Sequence, residues 1–188
     1  MTLEPISLRT VCGIEELAGH SSSKVTQVLS LLDPGTPHPR AFSGFGAHHR
    51  VTLEFHDIIE PMTGLVAPSE GDVAEILRFG ADVGPKDHLL IHCHMGISRS
   101  TAAMAMLLAQ AEPSLDEADV VARLYALRRQ SWPNTRMIAM ADDALGRGGR
   151  LVAAVRRLHA RQLKARPETE AYMRAVGRTA EVEAALAA

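Results

Sequence analysis

Four short stretches of the chain carry strand patterning, and the last of them ends at His92. In Ile6–Val11, Ile6, Leu8 and Thr10 fall on one face and Ser7, Arg9 and Val11 on the other. Gly13 then releases the chain into a short helical piece, Ile14–Ala18. Val25–Leu32 is a more continuous apolar run, stopped by Asp33-Pro34-Gly35. Thr36–Gly46 is a Pro/Gly/Phe loop without periodicity. Val51–His56 alternates apolar and polar positions, as a half-buried strand does. Leu89–His92 is apolar almost throughout and belongs in the middle of a sheet covered on both faces.

Helical signals lie mostly in the second half. Ser69 and Asp72 read as a capping pair that opens a helix through Ala74, Ile76, Leu77 and Phe79, ended near Val83 by Gly84-Pro85. A helix-prone run, Ala102–Leu108, follows the fourth strand. Ser114-Leu115-Asp116-Glu117 is a second capping signature, for a helix through Val120, Val121, Leu124 and Leu127. Trp132-Pro133-Asn134 breaks that helix, and the next carries Met137, Ile138, Met140, Ala141 and Leu145. Beyond a hinge at Gly146–Gly149, Leu151, Val155 and Leu158 form a narrow apolar stripe opposite Arg156, Arg157, Arg161 and Lys164, which read as a solvated face. The alanine-rich tail, Tyr172–Ala188, is expected to be one last, weakly docked helix.

Strands early, helices late and at least two βα steps predict an α/β domain. Its central sheet should be mostly parallel, of about four to five strands, flanked by helices. Length changes little: 188 residues suit one core, and no repeat or long linker divides them. A formal net charge of -2 and a mean hydropathy near zero ask for neither nucleic acid nor a membrane surface. No apolar run is long enough to span a bilayer. Met1–Pro5 lacks the pattern of a secretory signal, and two cysteines, Cys12 and Cys93, make no disulfide framework. A reducing, cytoplasmic setting is expected.

Candidate chemistry concentrates between the fourth strand and the helix after it, in His92-Cys93-His94-Met95-Gly96-Ile97-Ser98-Arg99-Ser100. A strand, a tight loop and a helix N-terminus aim several backbone N–H groups at one anion, and that field also favours a thiolate over a thiol. Gly96 supplies the backbone freedom such a loop needs. Arg99 adds a planar fork of donors suited to phosphate oxygens. Ser100 is placed to donate to the Cys93 sulfur, and His92 to orient the loop.

The segment resembles the signature loop of the cysteine-dependent protein tyrosine phosphatase superfamily, His-Cys-x-x-Gly-x-x-Arg-Ser/Thr, at every fixed position. Pro133-Asn134 followed by an amphipathic helix resembles the compact dual-specificity branch, and the likeness runs from Ile6 to Leu145. The resemblance implies the phosphatase fold over residues 1–146, with residues 147–188 as a helical extension packed on or trailing it. It implies Cys93 as nucleophile, forming a phosphocysteine, with Arg99 and the amides of His94, Met95, Gly96, Ile97, Ser98 and Arg99 on the phosphoryl oxygens. Ser100 would assist the leaving thiolate, with His92 and Asn134 in support. No cofactor and no metal is implied, and His48, His49 and His56 find no second ligand pair.

The reaction needs an acid for the leaving oxygen and a base for water. Asp57 closes its strand at the same sheet edge as Cys93, where ligands bind. Asp72 reads as a cap, Asp82 ends its helix, Asp87 sits at the wrong end of its strand, and Glu60 is the alternative. His94, Met95, Ile97 and Ser98 bring no lysine to the loop, which argues against a polyanionic head group. A phosphorylated protein or peptide, phosphotyrosine first, is the expected partner. The rivals are a non-protein phosphate (nucleotide, inositol or RNA 5′ end) and a phosphate-recognition module with little turnover. Phe42 or Phe45 could supply an aromatic wall, and Cys12 could pair with an oxidised Cys93 or simply be buried.

Overall fold

A computed structural model describes residues 8–188; Ile6 and Ser7, expected in the first strand, lie outside them. Four strands, β1 (Leu8–Gly13), β2 (Gln27–Leu32), β3 (His49–Glu54) and β4 (His88–Cys93), form one sheet in the order β1-β4-β2-β3, every pair parallel. The apolar β4 is interior, as its pattern demands, with β1 and β2 on either side. Because all strands run the same way, Gly13, Asp33, Asp57 and Cys93 all lie at or just past one sheet edge.

The fold is the expected α/β arrangement, with α1 (Glu70–Ala81), α2 (Arg99–Ala111), α3 (Glu117–Leu127), α4 (Thr135–Ala144), α5 (Arg150–Ala165), α6 (Glu168–Ala175) and α7 (Thr179–Leu186) around the sheet. Helix α1 opens with the predicted capping box, Ser69 accepting from the Asp72 amide and Asp72 from the Ser69 amide. Helix α2 is buried from Arg99 to Ala109, and its alanines let it lie close against the sheet. Leu151, Val155 and Leu158 of α5 enter the same main core as β4 and α2.

Several boundaries differ from the pattern. Strand β3 starts two residues before Val51, because the His49 amide already bonds the Thr26 carbonyl. It ends at Glu54, because the His56 amide turns away to the Val66 carbonyl. The aperiodic loop holds a short 3-10 helix, Arg40–Gly44, seated by buried Phe42. The cap of α3 is Asp116, which accepts from the Ala118 amide; Ser114 stays in the preceding turn.

The largest correction concerns the tail. It is two helices rather than one, and it is firmly docked. Gly177, at φ +81°, stops α6 in the left-handed region that favours glycine, and the Arg178 amide bonds back to the Met173 carbonyl at 2.8 Å. Met173, Val182 and Ala185 then share a satellite core with Trp132 and Leu163, against which Ile97 of the loop packs. This turn delivers Arg178 to the candidate site.

Candidate active site

Cys93 closes β4, and its buried sulfur lies 3.2 Å from Ser100 Oγ and 3.3 Å from the Gly96 N–H that donates to it. Gly96 has φ +68°, and a Cβ there would sit 2.4 Å from the Cys12 carbonyl carbon, so only glycine fits. The end of β1 buttresses the loop, with the Ile14 amide bonding the His94 carbonyl at 3.0 Å. On the outer side, Arg128 donates to the carbonyls of Gly96 (3.0 Å) and Met95 (3.1 Å) and makes a two-pronged ion pair with Glu16. That pairing holds the Glu16 carboxyl below the usual carboxylate range.

Arg99 is buried at the start of α2. Its Nη1 bonds Asp33 Oδ1 at 2.7 Å and the Phe55 carbonyl, while its Nε is buried with no partner among the described residues. His94 Nε2 accepts from the Asp33 amide at 3.3 Å. His92 bonds the Ser30 hydroxyl at 2.7 Å, and burial pushes its imidazole down to about 4. It is therefore neutral near pH 7 and supports the loop by packing and hydrogen bonding, not as a cation beside the thiolate.

Asp57 lies beside the loop, three residues past β3. Three donors converge on its Oδ1: Ser98 Oγ at 2.8 Å, Asn134 Nδ2 at 3.0 Å and Arg178 Nη2. Asn134 also caps α4, its Oδ1 accepting from the Met137 amide, and bonds the Ile58 carbonyl. Arg178 Nη2 reaches the Asp57 carbonyl (2.9 Å) and Ser98 Oγ (3.1 Å) as well. A pocket of about 200 Å³ brings Asp57, Cys93, Arg99 and Arg178 together, with Met95, Tyr172 and Val176 along its lining.

The structure thus gathers Cys93, His94, Met95, Ile97, Ser98, Arg99 and Asp57 around one cavity, with Gly96, Ser100, His92 and Asn134 against them. Glu60 lines a separate cleft beside Ser69, Arg136 and Arg156. Phe42 and Phe45 pack in a small core on the far side, Phe42 under the Arg50 guanidinium, and line no part of the pocket. Cys12 is in that same small core whereas Cys93 is in the main one, so the two thiols lie on opposite faces of the sheet. Burial pushes the Cys12 thiol up to about 12, which keeps it inert. His56 ties down the segment that carries Asp57, its Nδ1 accepting from the Val66 amide at 3.0 Å. Asp33, Trp132, Tyr172, Arg178 and Glu181 enter the site without having been singled out; only Asp33, at the end of an apolar run on the same edge, carried a local signal.

No family model matches the chain, and no curated protein matches it in sequence. Solved structures do match. DUSP15 aligns at 17% identity with a TM-score of 0.55, over 87% of this chain and 95% of its own. Cydia pomonella PTP-2 phosphatase aligns at 15% identity and TM-score 0.56, over 72% of this chain and 84% of its own. PTPMT1, solved in complex with PI(5)P, aligns at 11% identity and TM-score 0.51, over 78% of this chain and 93% of its own. The fold is that of the dual-specificity-like protein tyrosine phosphatases. Among the described residues no helix is long and apolar enough to cross a membrane.

Proposed function

We propose that the protein is a phosphomonoester hydrolase that works through a phosphocysteine intermediate, with phosphotyrosine in a protein or peptide as its preferred substrate. One observation carries this reading: at the floor of the pocket a sulfur held by an amide and a hydroxyl lies beside a buried arginine whose Nε has no partner. A buried, unpaired guanidinium N–H is costly unless an acceptor comes to it, and a phosphoryl oxygen is the acceptor this pocket fits.

Cys93 thiolate attacks phosphorus, the P–O bond to the substrate breaks, and Asp57 gives the leaving oxygen a proton. The Asp57 carboxylate then takes a proton from water, which attacks the phosphocysteine and releases inorganic phosphate and the thiolate. Three donors occupy Oδ1, so Oδ2 is the oxygen that carries the proton. Arg99 and the loop amides bind the equatorial oxygens and disperse the transition-state charge. Ser100 stabilises the leaving thiolate, and Asp33 holds Arg99 in place.

The rim supports an aryl ester. Met95, Tyr172 and Val176 are exposed apolar or aromatic surface around the pocket. PTPMT1 was solved with a phosphoinositide, and Arg178 adds a second cation here. That cation is matched by Glu181, however, so the pocket gains no net positive charge for a polyanion. Hydrolysis of a phosphotyrosine peptide should exceed that of a phosphoserine peptide and of PI(5)P. Cys93→Ser should abolish all turnover and Asp57→Asn should lower kcat by roughly 10²- to 10⁴-fold. Full activity in Cys93→Ser would sink the assignment. Phosphopeptide binding without turnover would make the protein a recognition module, and PI(5)P as the best substrate would move it to lipids.

A further inference from the structure

Resting on the assignment of Asp57 as the acid, we infer that Arg178, delivered by the C-terminal helices, is the positioning residue that sets this acid, and that Glu181 is its anchor. Asp57 sits in an irregular segment between β3 and α1, where no helix or strand ladder fixes its backbone. A catalytic carboxylate on such a segment needs a surrounding shell to hold it within a fraction of an ångström.

Arg178 has the geometry for this. One nitrogen, Nη2, bonds the Asp57 carbonyl and the Asp57 carboxylate together, so main chain and side chain are fixed by one planar group. The same nitrogen reaches Ser98 Oγ, which ties the acid to the phosphate loop. The other, Nη1, bonds both oxygens of Glu181, at 3.2 and 3.1 Å. Glu181 in turn accepts from Trp132 Nε1 (2.7 Å), the Thr135 amide (2.8 Å) and Thr135 Oγ1 (2.7 Å). The carboxylate that aims Arg178 is therefore pinned to the segment leading into α4, whose cap, Asn134, also holds Asp57. Arg178 and Glu181 thus act on the site through Asp57, from within the C-terminal helices.

A misplaced acid leaves a signature that a merely loosened fold does not: the loss depends on how badly the leaving group needs a proton. The test compares phenyl phosphate, a poor leaving group, with p-nitrophenyl phosphate, a good one of similar shape, on the full chain. The readout is kcat/KM, which covers the steps up to the phosphocysteine and leaves out the water step that both esters share. Arg178→Gln should lower it on the order of 10²-fold for phenyl phosphate and only a few-fold for p-nitrophenyl phosphate. Arg178→Lys, which keeps a charge opposite Glu181 but no planar fork, should show a smaller loss with the same leaving-group dependence. It decides the matter if the glutamine variant does not fold. In an Asp57→Asn background, Arg178→Gln should add nothing further.

Equal losses of kcat/KM on both esters would make Arg178 a phosphate ligand or a scaffold residue and overturn the proposal. If Asp57→Asn shows the leaving-group dependence and neither Arg178 variant does, the acid assignment stands and the positioning role falls. If Asp57→Asn shows no such dependence, the acid assignment itself fails and takes the positioning role with it.

Discussion

The loop from Cys93 to Arg99 is flanked by two arginine–glutamate pairs of the same composition and opposite character. On the outer flank Arg128 and Glu16 brace the Met95 and Gly96 carbonyls, with side chains 13% and 46% exposed. On the inner flank Arg178 and Glu181 hold Asp57 and Ser98, with side chains 4% and 1% exposed. Water can replace a lost partner on the outer side. On the inner side it cannot, so each charge depends on the other. A half-exposed pair contributes about 1 kcal/mol or less, whereas removing one partner of a buried pair costs about 3–5 kcal/mol. The difference lies in what surrounds the charges, not in the charges.

The largest expected effect comes from breaking the inner pair. Glu181→Ala leaves Arg178 Nη1 and the Trp132 N–H buried without their acceptor, and should lower unfolding free energy by about 3–5 kcal/mol. For a domain of this size that is a fall in Tm on the order of 10 °C. The double variant Arg178→Met/Glu181→Leu removes both charges and should regain part of that loss in thermal and urea unfolding. It should not regain hydrolysis of phenyl phosphate, because the acid still lacks its positioning group. Full recovery of both would mean that the inner pair serves the fold alone.

A second, smaller effect separates the flanks by pH. His159 is fully buried, stacked face to face on Trp132 with ring centroids 4.0 Å apart, and neither ring nitrogen has a partner among the described residues. Burial pushes it down to about 3, and His92 beneath the loop to about 4, from an ordinary 6.5. The sign follows directly. The unfolded chain takes up these protons below pH 6.5 and the native chain does not, so stability is intact above 6.5 and falls as pH drops toward the folded values. At pH 5 each histidine should cost about 2 kcal/mol relative to pH 7. His159→Phe keeps the stack and removes the titration. Urea unfolding at pH 7 and pH 5 should show its pH dependence reduced by about half, with no loss at pH 7. An unchanged pH dependence would place the proton uptake elsewhere.

What could be read from the chain follows the same division. Cys93, Gly96, Arg99 and Ser100 were legible because one short loop carries them, and the strand before it fixes which sheet edge it occupies. Asp57 was legible by that edge, although β3 stops three residues short of it. Asn134 was legible as a supporting residue at a helix break, but neither its cap on α4 nor its bond to Asp57 was. Arg178 and Glu181 read as a polar pair at i,i+3 in an alanine-rich tail, which usually means a solvated helix face. Only the tertiary turn at Gly177 buries them, and the contact with Asp57 spans 121 residues of sequence. Tyr172 was hidden for the same reason, while Phe42 and Phe45, nearer in sequence and more conspicuous, went to a separate core. Local chemistry shows in a sequence; a wall assembled from a distant helix does not.

The smallest effect is the sharpest check on the comparison. Arg128→Met should cost about 1 kcal/mol, because the two loop carbonyls and Glu16 can all turn to solvent. That cost should shrink in 1 M salt, which screens exposed charge within about 3 Å, whereas the cost of Glu181→Ala should not change. Catalysis should separate the two flanks in kind as well as in size. Loss of the outer brace lets the loop amides wander, which weakens phosphate binding for every ester alike and gives a uniform fall of less than tenfold. Loss of the inner one should lower kcat/KM only for the substrates whose leaving oxygen needs a proton from Asp57. If Arg128→Met proves as costly as Glu181→Ala at both salt concentrations, burial is not what distinguishes the pairs, and the outer arginine carries the loop.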